Sequence, residues 1–458
     1  MAQLKTPDIV VLVPGIMGSV LTQKGKDVWA LSGSAIVRAL FSLAGSIGEL
    51  ALHGDDPGLD DLGDGVEAPR LMPDTHLIPG FWKIDGYTGV RNFLFNRFAL
   101  QDGINYFEFP YDWRRDNRVA ARKLKKKTEE LLAARRQQLP GQDVKLILVA
   151  HSMGGLVSRY FLECLGGAQD TRLLVTFGTP FRGSIKALDY VCSGFKKIVD
   201  ISDLLRSFTS VYQLLPTYRC VEDGRGGLAK IVDAGALPNL DAGRAAAAAQ
   251  FHEEMSAAAT PAKITPYILY NVVGILQSTL QSAQLVGNTF HALESYQQDD
   301  WNGDGTVPRV SATPDDPRVN PRFYVAEQHG SLQNNDTVQA NLAALIEEGL
   351  IDYGRLRGLV ERHQNTIDQF IRLRLQIPDA ILATEALEIA ASPEEPRPLL
   401  ASVERVGDTS APRVVPLTPA ADRVHRASVS GLARGCYRVT LSSTAPGVLP
   451  VRDVCAVG

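Results

Sequence analysis

The stretch Val144–Leu165 reads VKLILVAHSMGGLVSRYFLECL. Val144–Ala150 is an aliphatic run broken only by Lys145, the composition of a strand covered on both faces. From Gly155 to Leu165 the apolar residues fall at helical spacing instead. Between the two lies Ala150-His151-Ser152-Met153-Gly154. Small residues two before and two after a serine allow a sharp strand-to-helix turn that pushes the hydroxyl out of the sheet, and alanine serves for the first. The following helix aims its N-terminal N–H groups at that serine, which favours a developing anion. Ser152 is therefore the expected nucleophile.

Outward from this turn, Asp8–Pro14, Asn105–Pro110, Leu173–Phe177, Tyr267–Gly274 and Phe323–Glu327 read as further buried strands, with helical segments between them. One such helix, Arg118–Gln138, has leucines on one face and Lys123, Lys125, Lys126 and Lys127 on the other, a solvated lysine face. The expected fold is an α/β-hydrolase with a mostly parallel central sheet over residues 1–350. Two long insertions, about 22–81 and 184–261, read as lids or caps. The first carries Ile36, Leu40, Leu43 and Ile47 at helical spacing, a stripe able to lie in a lipid interface. Residues 351–390 are expected to be a helical segment, 391–398 (SPEEPRP and its neighbour) a linker, and 399–458 a small β module. None of the expected catalytic groups lies in that tail. Truncation after about Leu375 is expected to leave soluble-ester hydrolysis intact.

A serine hydroxyl is a weak nucleophile, so it needs a base, and the base needs an orienting acid. In this fold the chain order is serine, acid, histidine. His329 lies in EQHGS, directly after the strand Phe323–Glu327, where a catalytic loop belongs. Asp304 lies in NGDGTVP, with glycines on both sides that permit a tight turn toward the imidazole. Asp300–Gly305 also fits the first half of a calcium loop, but Ser311 stands where the bidentate glutamate should be. An oxyanion hole needs two backbone donors. The expected pair is Met153, after the serine, and Ile16 in the exit loop PGIMGS of the first strand, with Met17 next in line.

The chain has 458 residues, enough for about three units of ordinary size. With 45% hydrophobic and 21% charged residues it has the balance of a globular protein with a sizeable core. A net charge of −4 argues against nucleic acid as a partner. Five scattered cysteines form no metal-binding or disulfide pattern, and no cofactor or metal is expected. The N-terminus lacks a secretory signal pattern, and no uncharged run approaches the ~18 residues of a membrane span. The expected location is cytoplasmic, with contact to membranes at most peripheral.

Taken together, VLVPGIMGS, PGFWKIDGY, YDWRR, VAHSMGG, FGTPFRGS, GDGTVP and EQHGSLQNND, in that order from Val11 to Asp336, resemble the lecithin:cholesterol acyltransferase family, which includes lysosomal phospholipase A2 and plant phospholipase A1-like members. The resemblance implies a Ser152–Asp304–His329 triad, an oxyanion hole at Ile16 and Met153, and acyl chemistry on phospholipids or other lipid esters. Met17, Trp29, Phe81 and Arg182 are candidate substrate or lid contacts. The chain departs from secreted members, having no cysteine between Leu21 and Phe81 and no parallel to the tail. A lipase or carboxylesterase acting on neutral lipid or soluble esters is the alternative. An inactive hydrolase scaffold used for binding, with the β module meeting a protein partner, is a more distant one.

Overall fold

The apolar runs assemble into one six-stranded sheet, whose strands in chain order are β1 (Ile9–Val13), β2 (Tyr106–Glu108), β3 (Leu146–His151), β4 (Thr171–Phe177), β5 (Ile268–Gly274) and β6 (Arg322–Val325). Their spatial order is β6-β5-β4-β3-β1-β2, and every neighbouring pair is parallel. The computed structural model describes residues 3–29, 50–72, 76–78, 82–195, 200–222, 224, 226–259, 266–316, 322–349, 373–393, 397–408, 410–420, 422–444, 448 and 450–458. Every residue of β1 and β3 is buried, as strands with helices on both faces must be. Because the strands are parallel, the exits of β1, β3, β5 and β6 all open on the same edge of the sheet. In open α/β sheets that edge is where sites form.

The helix Asn117–Gln138 is capped by Asp116, whose side chain accepts from Arg118 N. It buries Leu124, Thr128 and Leu132 and leaves Lys123, Lys126 and Lys127 exposed. The first insertion contains a three-stranded antiparallel sheet of Lys26–Trp29, Ser19–Gln23 and Val66–Leu71, then a hairpin of His76–Ile78 and Trp82–Ile84. The YDWRR segment clamps this insertion down. Arg114, fully buried, donates to Asp112 at 2.9 and 2.7 Å, to Asp64 at 2.8 Å and to the Leu50 carbonyl at 3.1 Å. Arg115 pairs with Asp55 at 3.0 Å. The stripe of Ile36, Leu40, Leu43 and Ile47, and Phe81, lie outside the described residues.

The second insertion holds the helices Ile185–Cys192, Ser202–Ser207, Thr209–Gln213 and Ala242–Ala258, of which the last packs on the helix Met153–Cys164. Its short strand Val221–Glu222 pairs with Ser282–Val286, which follows β5, so the cap draws on chain beyond residue 261.

The tail is the expected β module from Leu399 on, but its start differs from expectation. Leu373–Gln376 and Leu387–Pro393 are strands, not helix and linker, and they belong to an eight-stranded sheet that continues to Val457. In Leu387–Ala391 burial alternates with a period of two, around Glu388 and Ala390. The prolines that suggested a linker begin only at the strand's last residue, Pro393, where a missing N–H is tolerated. The module has its own core, built on Leu375, Leu387, Val403, Val439, Leu441 and Val451. Cys436 and Cys455 are free buried thiols on neighbouring strands.

Candidate active site

Ser152 sits at the junction of β3 and the helix Met153–Cys164 with φ 52° and ψ −125°, a backbone state costly for any residue with a side chain. The surroundings hold it there. Ser152 N donates to Phe177 O at 2.8 Å, and Thr179 Oγ1 donates to Ser152 O at 2.9 Å. The small residues are required by contact: a Cβ on Gly154 would lie 2.4 Å from Pro14 O, and one on Gly155 2.0 Å from Thr179 Oγ1.

His329 opens a short 3-10 turn, His329–Asn334, just beyond β6. Its Nε2 lies 2.9 Å from Ser152 Oγ, and its Nδ1 lies 2.8 Å from Asp304 Oδ2. A carboxylate only accepts, so Nδ1 carries the proton and Nε2 turns its lone pair to the serine hydroxyl. Asp304 is held in place by Thr306 N and Val307 N, which donate to its Oδ1 at 2.9 and 2.7 Å. The backbones are tied as well, with His329 N donating to Asp304 O at 2.8 Å. All three side chains are buried. The Asp300 carboxylate, by contrast, receives Asn302 N and Gln281 Nε2 and pairs with Arg374. The two acids of the half calcium motif thus serve different partners.

Two glycines outside the expected set shape the site. Gly178, at the exit of β4 with φ +57°, leaves no room for a Cβ, which would fall 2.8 Å from Asp304 Oδ2 and 2.9 Å from His329 Nδ1. Gly274, the last residue of β5, faces the Asp304 Cβ in the same way at 2.4 Å. Gly178 is the second residue of the FGTPFRGS motif, so a signal existed. Gly274 carried none.

The exit loop of β1 lies on Ser152, for a Cβ on Gly15 would come within 2.8 Å of the Ser152 Cβ. Gly15 N donates to Tyr87 Oη and Gly18 N donates to Gly15 O. Among the described residues the N–H groups of Ile16, Met17 and Met153 have no acceptor. Met17 adopts φ 60° and is fully buried, and its carbonyl accepts from Trp29 Nε1 at 3.3 Å. Trp29 meets Trp113 edge-on at 5.1 Å, so it braces the loop from behind. The Arg182 guanidinium stacks on Tyr218 at 5.5 Å and lines a cavity of about 480 Å³ with Arg159, Phe181 and Lys230.

The tail reaches the triad loops from behind, for which the sequence carried no signal. Glu327, buried just before the His329 turn, accepts from Arg452 N at 2.6 Å, Gln328 N at 3.0 Å and Asn335 Nδ2 at 3.0 Å. Burial pushes its carboxyl up to about 7. Arg452 also donates to Asn334 O at 2.8 Å and pairs with Asp336 at 2.9 Å. On the other flank, Arg374 reaches Asp300 and Asn302 at 2.5 and 2.7 Å, beside the acid loop. Lys83, whose strand backs Gly330, sits between Asp379 at 2.6 Å and Asp453 at 2.9 Å. Arg438 forks Asp85 at 2.9 and 2.5 Å. The tail is therefore not set apart from the loops that carry the triad.

A family model described as lecithin:cholesterol acyltransferase matches residues 96–335, just over half of the chain and the span that holds Ser152, Asp304 and His329. Among solved structures, the mature form of the Bacillus licheniformis lipase BlEst2 is 13% identical with a TM-score of 0.31, covering 75% of this chain and 91% of that one. Phospholipase PlaB from Legionella pneumophila is 10% identical with a TM-score of 0.35, covering 98% of this chain and 90% of that one. A comparison with curated proteins finds no match. The ordered motifs, the parallel sheet and the family match lead to one conclusion: the chain belongs to the lecithin:cholesterol acyltransferase family, on the α/β-hydrolase fold, and is a lipid ester hydrolase or acyltransferase.

Proposed function

We propose that this protein transfers an acyl group from a phospholipid ester to Ser152, and then to water or an alcohol, as a phospholipase A or lipid O-acyltransferase. The observation that carries the reading is the unbroken chain Ser152 Oγ, His329, Asp304, with contacts of 2.9 and 2.8 Å. Ser152 Oγ attacks the ester carbonyl while its proton passes to His329 Nε2. The carbonyl π pair becomes an oxyanion, received by the free N–H groups of Ile16 and Met153. Asp304 keeps the imidazole in the right tautomer and stabilises the imidazolium. On collapse the C–O bond to the glycerol side breaks, and the departing oxygen takes the proton back from Nε2. Water or an alcohol then repeats the sequence in reverse on the acyl-enzyme.

A phospholipid donor is supported by the family and by the apolar spacing of Ile36, Leu40, Leu43 and Ile47, which suits a peripheral approach to a bilayer from the cytoplasm. No helix among the described residues is long and apolar enough to cross a membrane. Met17, Trp29, Phe81 and Arg182 remain our candidates for lid and substrate contacts. The first test is fluorophosphonate labelling of wild type and Ser152→Ala, with lipid analysis of the products. We expect label on the wild type only, and release of fatty acid from phospholipid vesicles. Added long-chain alcohol would reveal any transferase share. Leu40→Glu with Leu43→Glu should depress vesicle hydrolysis far more than hydrolysis of a short soluble ester. Turnover confined to soluble esters would hand the case to a carboxylesterase.

A further inference from the structure

We propose that Tyr87 and His151 form a positioning relay, which couples the loop carrying the oxyanion donor to the backbone of the general base. This rests on the triad reading above. Tyr87, the last residue of the PGFWKIDGY motif, is buried beside the β1 exit loop. Its hydroxyl accepts from Gly15 N at 2.9 Å and lies 3.1 Å from His151 Nδ1. His151, fully buried, precedes the nucleophile, and its Nε2 lies 3.1 Å from the carbonyl of His329.

Chemistry fixes the direction of every link. A carbonyl oxygen can only accept, so His151 Nε2 must carry a proton and donate it. Burial, with the charge of His329 second, pushes the His151 pKa down to about 3. The ring is therefore neutral near pH 7, with a lone pair on Nδ1. Tyr87 must donate to that lone pair, and its oxygen is then left to accept from Gly15. Burial keeps the phenol protonated, raising it well above its ordinary range. The chain runs one way only, from Gly15 N–H through Tyr87 and His151 to His329.

The relay has a consequence for catalysis. It takes up the N–H of Gly15, while the N–H of Gly18 is taken up by Gly15 O. What the loop has left for an oxyanion is Ile16, with Met17 next. There is little slack, since a Cβ on Gly18 would fall 2.8 Å from Tyr87 Oη. The donor loop, the residue before the nucleophile and the base thus share one hydrogen-bonded chain. Three of its members, Gly15, Tyr87 and His151, lie outside the triad, and the last two need not touch substrate.

The test is Tyr87→Phe, which removes only the bridging oxygen. With a short soluble ester we expect kcat to fall about 10- to 100-fold, below the loss for a whole oxyanion donor, with KM changed less than about threefold. Affinity for an alkyl boronic acid, which forms a tetrahedral adduct on Ser152, should fall in parallel with kcat/KM. His151→Gln keeps a donor toward His329 but offers Tyr87 no acceptor in the place of Nδ1. Adding Tyr87→Phe to it should cost less than about threefold more, because the two act as one unit. Should Tyr87→Phe not fold, His151→Asn, which keeps the acceptor and loses the donor to His329, carries the same kcat and boronate test. Wild-type kcat and boronate affinity in these variants would overturn the relay, as would lost thermal stability with kcat unchanged. Fluorophosphonate failing to label the wild-type protein would instead overturn the triad reading beneath it.

Discussion

At the scale of single residues, the site depends on a few atoms whose replacement has separable effects. On the proposed roles, His329→Ala removes the proton carrier and should lower kcat on the order of a millionfold, whereas Asp304→Asn, which disturbs the tautomer but leaves a base, should cost roughly ten-thousandfold. Steady-state rates on a soluble ester check that order, and equal losses would contradict the roles assigned. Gly178→Ala tests packing at the same point. The new methyl would meet Asp304 Oδ2 and His329 Nδ1 at a φ of +57°, so both pay in strain and in misplacement. We expect a folded protein with a lower Tm and kcat reduced at least about tenfold, because misplacements of about 1 Å cost up to a hundredfold. Unchanged kcat in Gly178→Ala would mean that the acid and base loops relax more freely than their hydrogen bonds suggest.

At the scale of elements, the turn His329–Asn334 is gripped at both ends by the strand Val451–Val457. Arg452 N meets Glu327 ahead of the turn, and the Arg452 side chain reaches Asn334 and Asp336 behind it. Glu327 makes this grip pH-sensitive. Its carboxyl is raised from an ordinary 4.5 to about 7, because burial penalises the charged form more than its donors repay. A group raised in the folded state holds its proton more tightly there. Its contribution to stability is complete below about 4.5 and is lost as pH rises to about 7. Denaturant midpoints between pH 5 and pH 7.5 should therefore fall more steeply for wild type than for Glu327→Gln, which cannot titrate. Parallel slopes would place the Glu327 titration outside that window.

At the scale of the whole molecule, the hydrolase core and the tail have largely separate hydrophobic cores, joined where Cys436 and Val406 pack into that of the hydrolase, and share one set of polar contacts around the triad loops. Lys83 with Asp379 and Asp453, and Arg438 with Asp85, are partly buried charge clusters, and breaking such a cluster by removing one side is strongly destabilising. Removing residues 373–458 would strip Lys83, Asp85, Gln277, Glu327 and Gln328 of the polar contacts they make to the tail. We therefore expect that truncation to lose soluble-ester activity by at least about a hundredfold, on the geometric grounds that govern positioning. This reverses the expectation drawn from the order of domains alone. Full activity in a folded truncation, measured on a short soluble ester, would restore the earlier view of a dispensable tail.

What the sequence determined by itself were features dictated by close neighbours along the chain. The aliphatic run Val144–Ala150, the small residues around Ser152, and the glycines beside Asp304 are local requirements of a strand, an elbow and a turn, so they could be read in order. Only the first tail strands, Leu373–Gln376 and Leu387–Pro393, run against expectation, where local composition points the wrong way. Leu373–Gln376 is too short to establish its period of two against a helical context, and Pro393 drew attention from the alternation before it. What only the tertiary structure decided were contacts between residues far apart in sequence. Tyr87 meets Gly15 and His151, Gly274 faces Asp304, and Arg452 meets Glu327. A hydrogen bond depends on where two atoms stand within about 3 Å. No spacing along the chain encodes that distance until the sheet has closed.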